Sequence, residues 1–263
     1  MTETITTSEL MAVTLARGLR NEEWGACGAN SQIPMAAFQL ARLMHAPDLN
    51  WLSGGGGAIN SAAPLVKSTA DPVTLDSAEH SFRLEDIVDF ELGGWRKAPT
   101  VGIFGGMQVD RHGNVNMVGI GRDYPKLRVR GPGTVGLVFA AYFTRTMIFV
   151  QRHDKRIFID EVDHVSAPGR TAARREFCDP HSDGPQLVVT PLAVLDFGDD
   201  DTLRLKSVHP GHTPDEVRKR TGFDLPSSTP GEVPLTPSPT DEELTMLRER
   251  VDPGGVLRRL RLD

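Results

Sequence analysis

Three glycine-rich turns carry the residues with the most scope for chemistry: Ser53-Gly54-Gly55-Gly56-Gly57, Gly105-Gly106-Met107-Gln108-Val109-Asp110, and Arg130-Gly131-Pro132-Gly133-Thr134-Val135-Gly136. The first two directly follow short apolar runs that read as strands. Open α/β sheets bind ligands in loops beyond the carboxyl ends of parallel strands. Glycine there lets backbone amides approach a thioester oxygen or a phosphate that a Cβ would exclude. The amides of Gly54–Gly57 and of Gly105 and Gly106 are thus candidate oxyanion donors. One such donor contributes about 3–4 kcal/mol in a transition state. Taken singly, each turn also reads as an ordinary tight turn.

Other chemistries find less support. Gly131, Gly133 and Gly136 satisfy GxGxxG, with Asp154 downstream for a ribose contact. Pro132 sits inside that turn, however, and Arg128 and Arg130 precede it, whereas a buried parallel strand is nearly all apolar. An NAD-dependent oxidoreductase would rest on those three glycines alone. No P-loop, GxSxG elbow or HExxH occurs, and the 8 histidines are scattered, so no metal site is expected. Ser53 has no histidine or lysine base beside it in sequence and reads as a turn residue. Asp110 and Asn114 read as builders of the VDRHGN turn.

Composition narrows the class further. A net charge of −6, with no basic stretch interleaved with aromatics, speaks against nucleic acid. No run approaches the ~18 apolar residues of a membrane span, and the amino terminus lacks a basic, then apolar, leader. Cys27 and Cys178, outside any CxxC, fit a reducing compartment, so a cytoplasmic location is expected.

The elements that must hold the loops are legible from pattern. Thr7 and Ser8 cap a helix through Arg17; Trp24 to Cys27 reads as a strand; Pro34 opens a helix through Leu43; Leu49 to Leu52 reads as the next strand. This βαβ rhythm predicts an open, mostly parallel α/β sheet flanked by helices. Further strands are expected at Val101–Phe104, Met147–Val150, Ile157–Ile159, Leu187–Val189, Ala193–Phe197 and Leu203–Val208. A helix capped by Thr213 should run from Pro214 to Arg220. The expected organisation is one α/β domain over 1–225, a Pro-rich linker over 226–239, and a helical tail over 240–263 on the surface or against a partner.

Four strings in order resemble the β subunit of family I CoA-transferases, in the glutaconate CoA-transferase-like branch. They are PMAAFQLARLMHAPDL at 34–49, GGMQVDRHGNVNM at 105–117, IDEVDHVSAPGR at 159–170, which resembles the segment closing the sheet, and SVHPGHTPDEVRKRTGFDL at 207–225. The resemblance implies a CoA-transferase-like fold, an α subunit as partner in an α2β2 assembly, and CoA as part of the substrate with no permanently bound cofactor. In the transferases a glutamate opens the loop after the strand, attacks the acyl-CoA and carries CoA as a glutamyl thioester. Here Leu52 stands at that position, and Glu79, Glu85 and Glu91 are remote in sequence.

Leu52 makes the chain similar to the branch of actinobacterial steroid-ring-cleaving CoA-thioester hydrolases, in which the acid/base glutamate comes from the α subunit. The resemblance then implies a pocket-shaping role here. Ser53, Gly54 and Gly55 would face the acyl group; Gly105, Gly106 and Gln108 would orient the thioester; Asn116 would anchor it. Gly131 and Gly133 would flank the pantetheine or the partner, and Arg122, Lys126 and Arg128 would meet CoA phosphates or a substrate carboxylate. A true transferase with its nucleophile elsewhere and a non-catalytic scaffold subunit are the alternatives.

Overall fold

The computed structural model describes residues 4–92 and 100–262. The chain divides into two compact units, 1–103 with 237–262, and 104–236. The single domain expected over 1–225 is therefore two, and the carboxyl-terminal segment returns to the first.

The first unit opens with α1 (Thr7–Arg17). Its cap lies one residue earlier than expected: Thr6 accepts from Glu9 N–H while the Glu9 carboxylate accepts from Thr6 N–H. There follow β1 (Trp24–Cys27), α2 (Gln32–Met44), β2 (Asn50–Ser53), β3 (Ala58–Ile59), α3 (Pro72–Asp76), β4 (His80–Ser81), α4 (Leu84–Glu91) and β5 (Val101–Phe104). β1 lies between β2 and β5 and runs parallel to both. β3 and β4 continue the edge antiparallel. The mostly parallel, helix-flanked α/β sheet expected from sequence is thus present in its central strands, which are apolar and buried on both faces.

α2 sits unusually close to β1. A Cβ on Gly25 would lie 2.6 Å from Phe38 Cζ, so only glycine admits the ring, which stacks on Trp51 at 5.8 Å.

In the second unit, two hairpins come first: β6 (Gln108–Val109) with β7 (Val115–Asn116), and β8 (Gly119–Ile120) with β9 (Val129–Arg130). A 3-10 helix, Val135–Ala141, leads to β10 (Arg145–Phe149); then come α5 (Ala172–Phe177), β11 (Pro185–Val189), β12 (Ala193–Phe197), β13 (Leu203–Val208) and α6 (Pro214–Arg220), capped by Thr213 as expected. β10 and β11 are parallel; β11, β12 and β13 are antiparallel. Ile157–Ile159 is not a strand: Phe158 makes one isolated bridge to Val109. The 159–170 segment braces the first hairpin, Ser166 and Ala167 N–H both donating to Val115 O, and does not close a sheet.

The Pro-rich stretch is no free linker. Ser227 and Leu235 bridge in parallel to Leu205 and Val208 of β13, and Thr236 N–H donates to Val208 O. Proline suits such an edge because it need not donate to the ladder. The tail, with α7 (Asp241–Met246) capped by Thr240 and followed by a π-helical turn over Leu247–Val251, folds onto the first unit. Arg17 pairs with Glu243, Arg248 with Glu9, and Ser8 donates to Leu257 O.

Candidate functional site

β1 and β2 end side by side, with Ala26 opposite Leu52 and Cys27 opposite Ser53. Leu52 is fully buried and lies between Ala26 of β1 and Ile59 of β3. A hydrocarbon therefore leads into the glycine loop. Ser53 is also fully buried, and its hydroxyl accepts from Ala58 N–H at 3.1 Å, so it builds the turn and does not face an acyl group.

The glycine turn over 54–57 closes on itself. Gly54 N–H donates to Cys27 O, Gly55 N–H to Thr69 Oγ1, and Gly56 and Gly57 N–H both to Ser53 O. All four amides are committed, so the oxyanion role expected of them is not open to them. Gly54 and Gly55 still stand at the surface of the loop, Gly54 half-buried and Gly55 exposed. Thr69, buried beneath, also donates to Gly28 O and ties the ends of β1 and β2 together.

The carboxyl group missed from sequence lies here. Glu91, the last residue of α4, is 7% exposed. Its Oε1 comes within 3.7 Å of the point where a Gly54 Cβ would stand. No described residue hydrogen-bonds its carboxylate, and burial pushes its pKa up to about 7. On β1, burial and then the Glu91 charge raise the Cys27 thiol far above its ordinary value, so it is protonated and unreactive. A sequence signal existed: Glu91 follows Ile87 by one helical turn and adjoins Phe90, which places it on the buried stripe of α4.

The second unit carries a glycine loop of its own. Gly105 and Gly106 follow β5 and are half-exposed. The hairpin's own hydrogen bonds begin only at Met107, whose N–H donates to Asn116 O, leaving the Gly105 and Gly106 amides outside them. Gln108 Oε1 accepts from Asn116 Nδ2 and Asp163 N–H, while its amide donates to Asp163. Asn116, fully buried, donates also to Gly119 O and accepts from Val118 N–H. Both polar heads are turned inward to hold the hairpin; Asn116 has no capacity left to anchor a ligand, whereas Gln108 keeps one amide N–H beyond its bond to Asp163. Asp110 accepts from His112 and Asn114 N–H and from Asn114 Nδ2, building the turn as read from sequence.

The third loop is bonded to the same hairpin, Gly131 N–H to Val118 O and Gly133 N–H to Met117 O. It follows an antiparallel hairpin and enters a 3-10 helix, which is not the strand–turn–α-helix that a dinucleotide fingerprint needs. Arg122 pairs with Glu161 at 2.9 Å; Lys126 and Arg128 are exposed between β8 and β9. Two histidines belong to the core: His153 bonds Thr190 and Thr221, and His209 bonds Thr236 and Thr190 O. Burial holds His153 down to about 3 and His209 to about 4. Among the described residues no group of three or more His, Cys, Asp or Glu is placed to hold a metal ion. No described helix is long and apolar enough to cross a membrane.

No protein-family model matches the chain. Among curated proteins it is 32% identical to the cholesterol ring-cleaving hydrolase IpdB subunit of Rhodococcus jostii RHA1 over 235 residues, 85% of this chain and 83% of that one. The R. jostii IpdAB crystal structure matches with TM-score 0.78 at 29% identity over 97% of this chain and 98% of that one. The decarboxylase AibA/AibB matches with TM-score 0.83 at 26% identity over 99% and 100% of the two chains. Glutaconate CoA-transferase from Acidaminococcus fermentans gives TM-score 0.85 at 27% identity over 98% and 99%. In sequence, the β chain of that transferase is 30% identical over 256 residues, 95% of this chain and 93% of that one. With a shared fold and this identity over nearly its whole length, the chain belongs to the CoA-transferase family, among its β subunits.

Proposed function

We propose that this chain is the β subunit of a heteromeric acyl-CoA hydrolase that opens a ring-bearing β-keto CoA thioester in steroid breakdown. The observation that carries the reading is Leu52: the residue that leads into the glycine loop is a buried hydrocarbon and cannot itself hold CoA covalently. The likeness to the IpdB subunit and to IpdAB supports the substrate class and an α subunit as partner, and the assembly proposed with it is α2β2. CoA enters as part of the substrate, with no resident cofactor, and the enzyme works in the cytoplasm.

In this reading Gly54 and Gly55 of the first unit border the acyl group; in the second unit, Gly105 and Gly106 carry amides outside their hairpin's own hydrogen bonds. Gln108, Asn116, Gly131 and Gly133 act by shaping the loops. Lys126 and Arg128 are free to meet CoA phosphates, whereas Arg122 would first have to leave Glu161. The base that activates water is contributed by the α subunit. A true CoA-transferase is the second reading, favoured by the likeness to the β chain of glutaconate CoA-transferase.

The test incubates the purified α/β complex with a ring β-keto acyl-CoA and follows the product by mass. Hydrolysis of the ring adds one water and retains CoA. Borohydride or hydroxylamine should trap no thioester on this chain. CoA passing to a free carboxylate, with a trapped glutamyl adduct, would establish the transferase instead.

A further inference from the structure

Glu91 is a buried carboxyl group that no described residue pairs with or hydrogen-bonds. Structural carboxylates of this chain are paired: Glu9 with Arg248, Asp110 with three backbone and amide donors, Asp163 with Gly121 N–H and Gln108. Glu91 is 7% exposed, yet no described residue hydrogen-bonds it. Its Oε1 lies 3.7 Å from the Cβ position of Gly54, the half-buried residue at the head of the loop. An unpaired buried acid costs stability, so a site that keeps one is a candidate for proton transfer.

We propose that Glu91 is the proton donor of the site: its carboxylic acid, held beside Gly54, protonates the carbon released when the substrate's ring bond breaks. This rests on the hydrolase reading above. Water, deprotonated by the base, adds its oxygen to the ring carbonyl carbon. The carbon–carbon bond then breaks, and its electron pair moves onto the thioester α-carbon. Glu91 gives that carbon its proton and becomes a carboxylate, then recovers the proton the base took from water. One water is consumed, a carboxylate and an intact CoA thioester result, and no oxidant or reductant is needed.

The surroundings keep much of the group in its acid form up to about pH 7. From β1 the titratable group facing Glu91 is the Cys27 thiol, which stays protonated. The Gly54 loop presents none. Within α4, Asp86 accepts from Arg83 N–H and Asp89 is exposed. Among the described residues no cation offsets the burial that raises Glu91.

The test compares wild type and Glu91→Gln as α/β complexes. Wild-type kcat should fall as pH rises through about 7, as the donor loses its proton. E91Q should lose kcat by about 10²-fold or more with KM little changed, and lose that alkaline limb. E91Q within a few-fold of wild type, or keeping the limb, overturns the proposal. Should E91Q not assemble, Glu91→Asp decides: a shortened acid keeps the limb but loses rate, and full rate refutes the role. Deuterium entry at C2 of a 3-oxoacyl-CoA, above the uncatalysed background, separates the two readings. If wild type opens no ring thioester, the hydrolase reading fails. Enzyme-dependent exchange abolished in E91Q would still support Glu91, and equal exchange in both, or none in wild type, would overturn it.

Discussion

A single methyl group at Gly54 tests how tightly the glycine loop is set against the end of β1. The Gly54 φ is not positive, so alanine meets no backbone penalty and the outcome depends on space alone. A Cβ there would lie 2.9 Å from Cys27 O, where ordinary contact begins at 3.4 Å. Backbone must therefore yield by roughly half an ångström, against the hydrogen bond from Gly54 N–H to the same carbonyl. Overpacking of this kind costs about 1–3 kcal/mol, or about 2–4 °C of melting temperature for each kcal/mol at this chain length. The shift also displaces the loop beside Glu91, and turnover should fall about tenfold, since a misplacement near 1 Å costs about 10²-fold. Gly28→Ala is the control, because its Cβ would meet only Ser31 Oγ at 3.8 Å. Thermal melts and turnover of the α/β complexes read both effects. G54A indistinguishable from wild type, or G28A equally damaged, would refute the steric argument.

Two further outcomes follow from buried charges. Arg248→Ala leaves the Glu9 carboxylate, 2% exposed, with only its Thr6 bonds, and should cost about 3 kcal/mol in urea denaturation. An unchanged midpoint would mean the tail does not pin α1. For pH, His153 and His209 are held below the ordinary 6.5 by burial, so the unfolded chain binds their protons first. Their stability contribution is complete above about pH 6.5 and is lost at about 1.4 kcal/mol per pH unit each as pH falls. Glu91, with its folded pKa raised to about 7, binds its proton first in the folded state and offsets one histidine between about pH 7 and 4.5. Urea midpoints at pH 7, 6 and 5 should therefore fall more steeply in E91Q than in wild type. Equal slopes would remove the buried-acid assignment.

Elements with strong periodicity were legible because their signals are local. α6 with its Thr213 cap, β1, β5, β12 and β13 stand where apolar pattern and capping residues predicted them. Ile157–Ile159 is apolar enough for a strand but finds a single bridge partner, and strand formation is a property of the pair. The Pro- and Ser-rich 226–239 stretch reads as a linker because composition reports what a segment lacks. It does not report that β13 has an open edge for that segment to cover.

From residue types alone came the CoA-transferase likeness, the parallel sheet rhythm, and the turn built by Asp110 and Asn114. Only the folded chain decided which glycine amides remain available. The 54–57 loop uses all of its own through partners at Cys27, Ser53 and Thr69, whereas Gly105 and Gly106 stand outside their hairpin's bonds. Only the folded chain brought Glu91 to Gly54, across 37 positions of sequence. The reason is physical: residue type sets what a group can do, but hydrogen-bond capacity and burial depend on neighbours that the chain supplies from a distance.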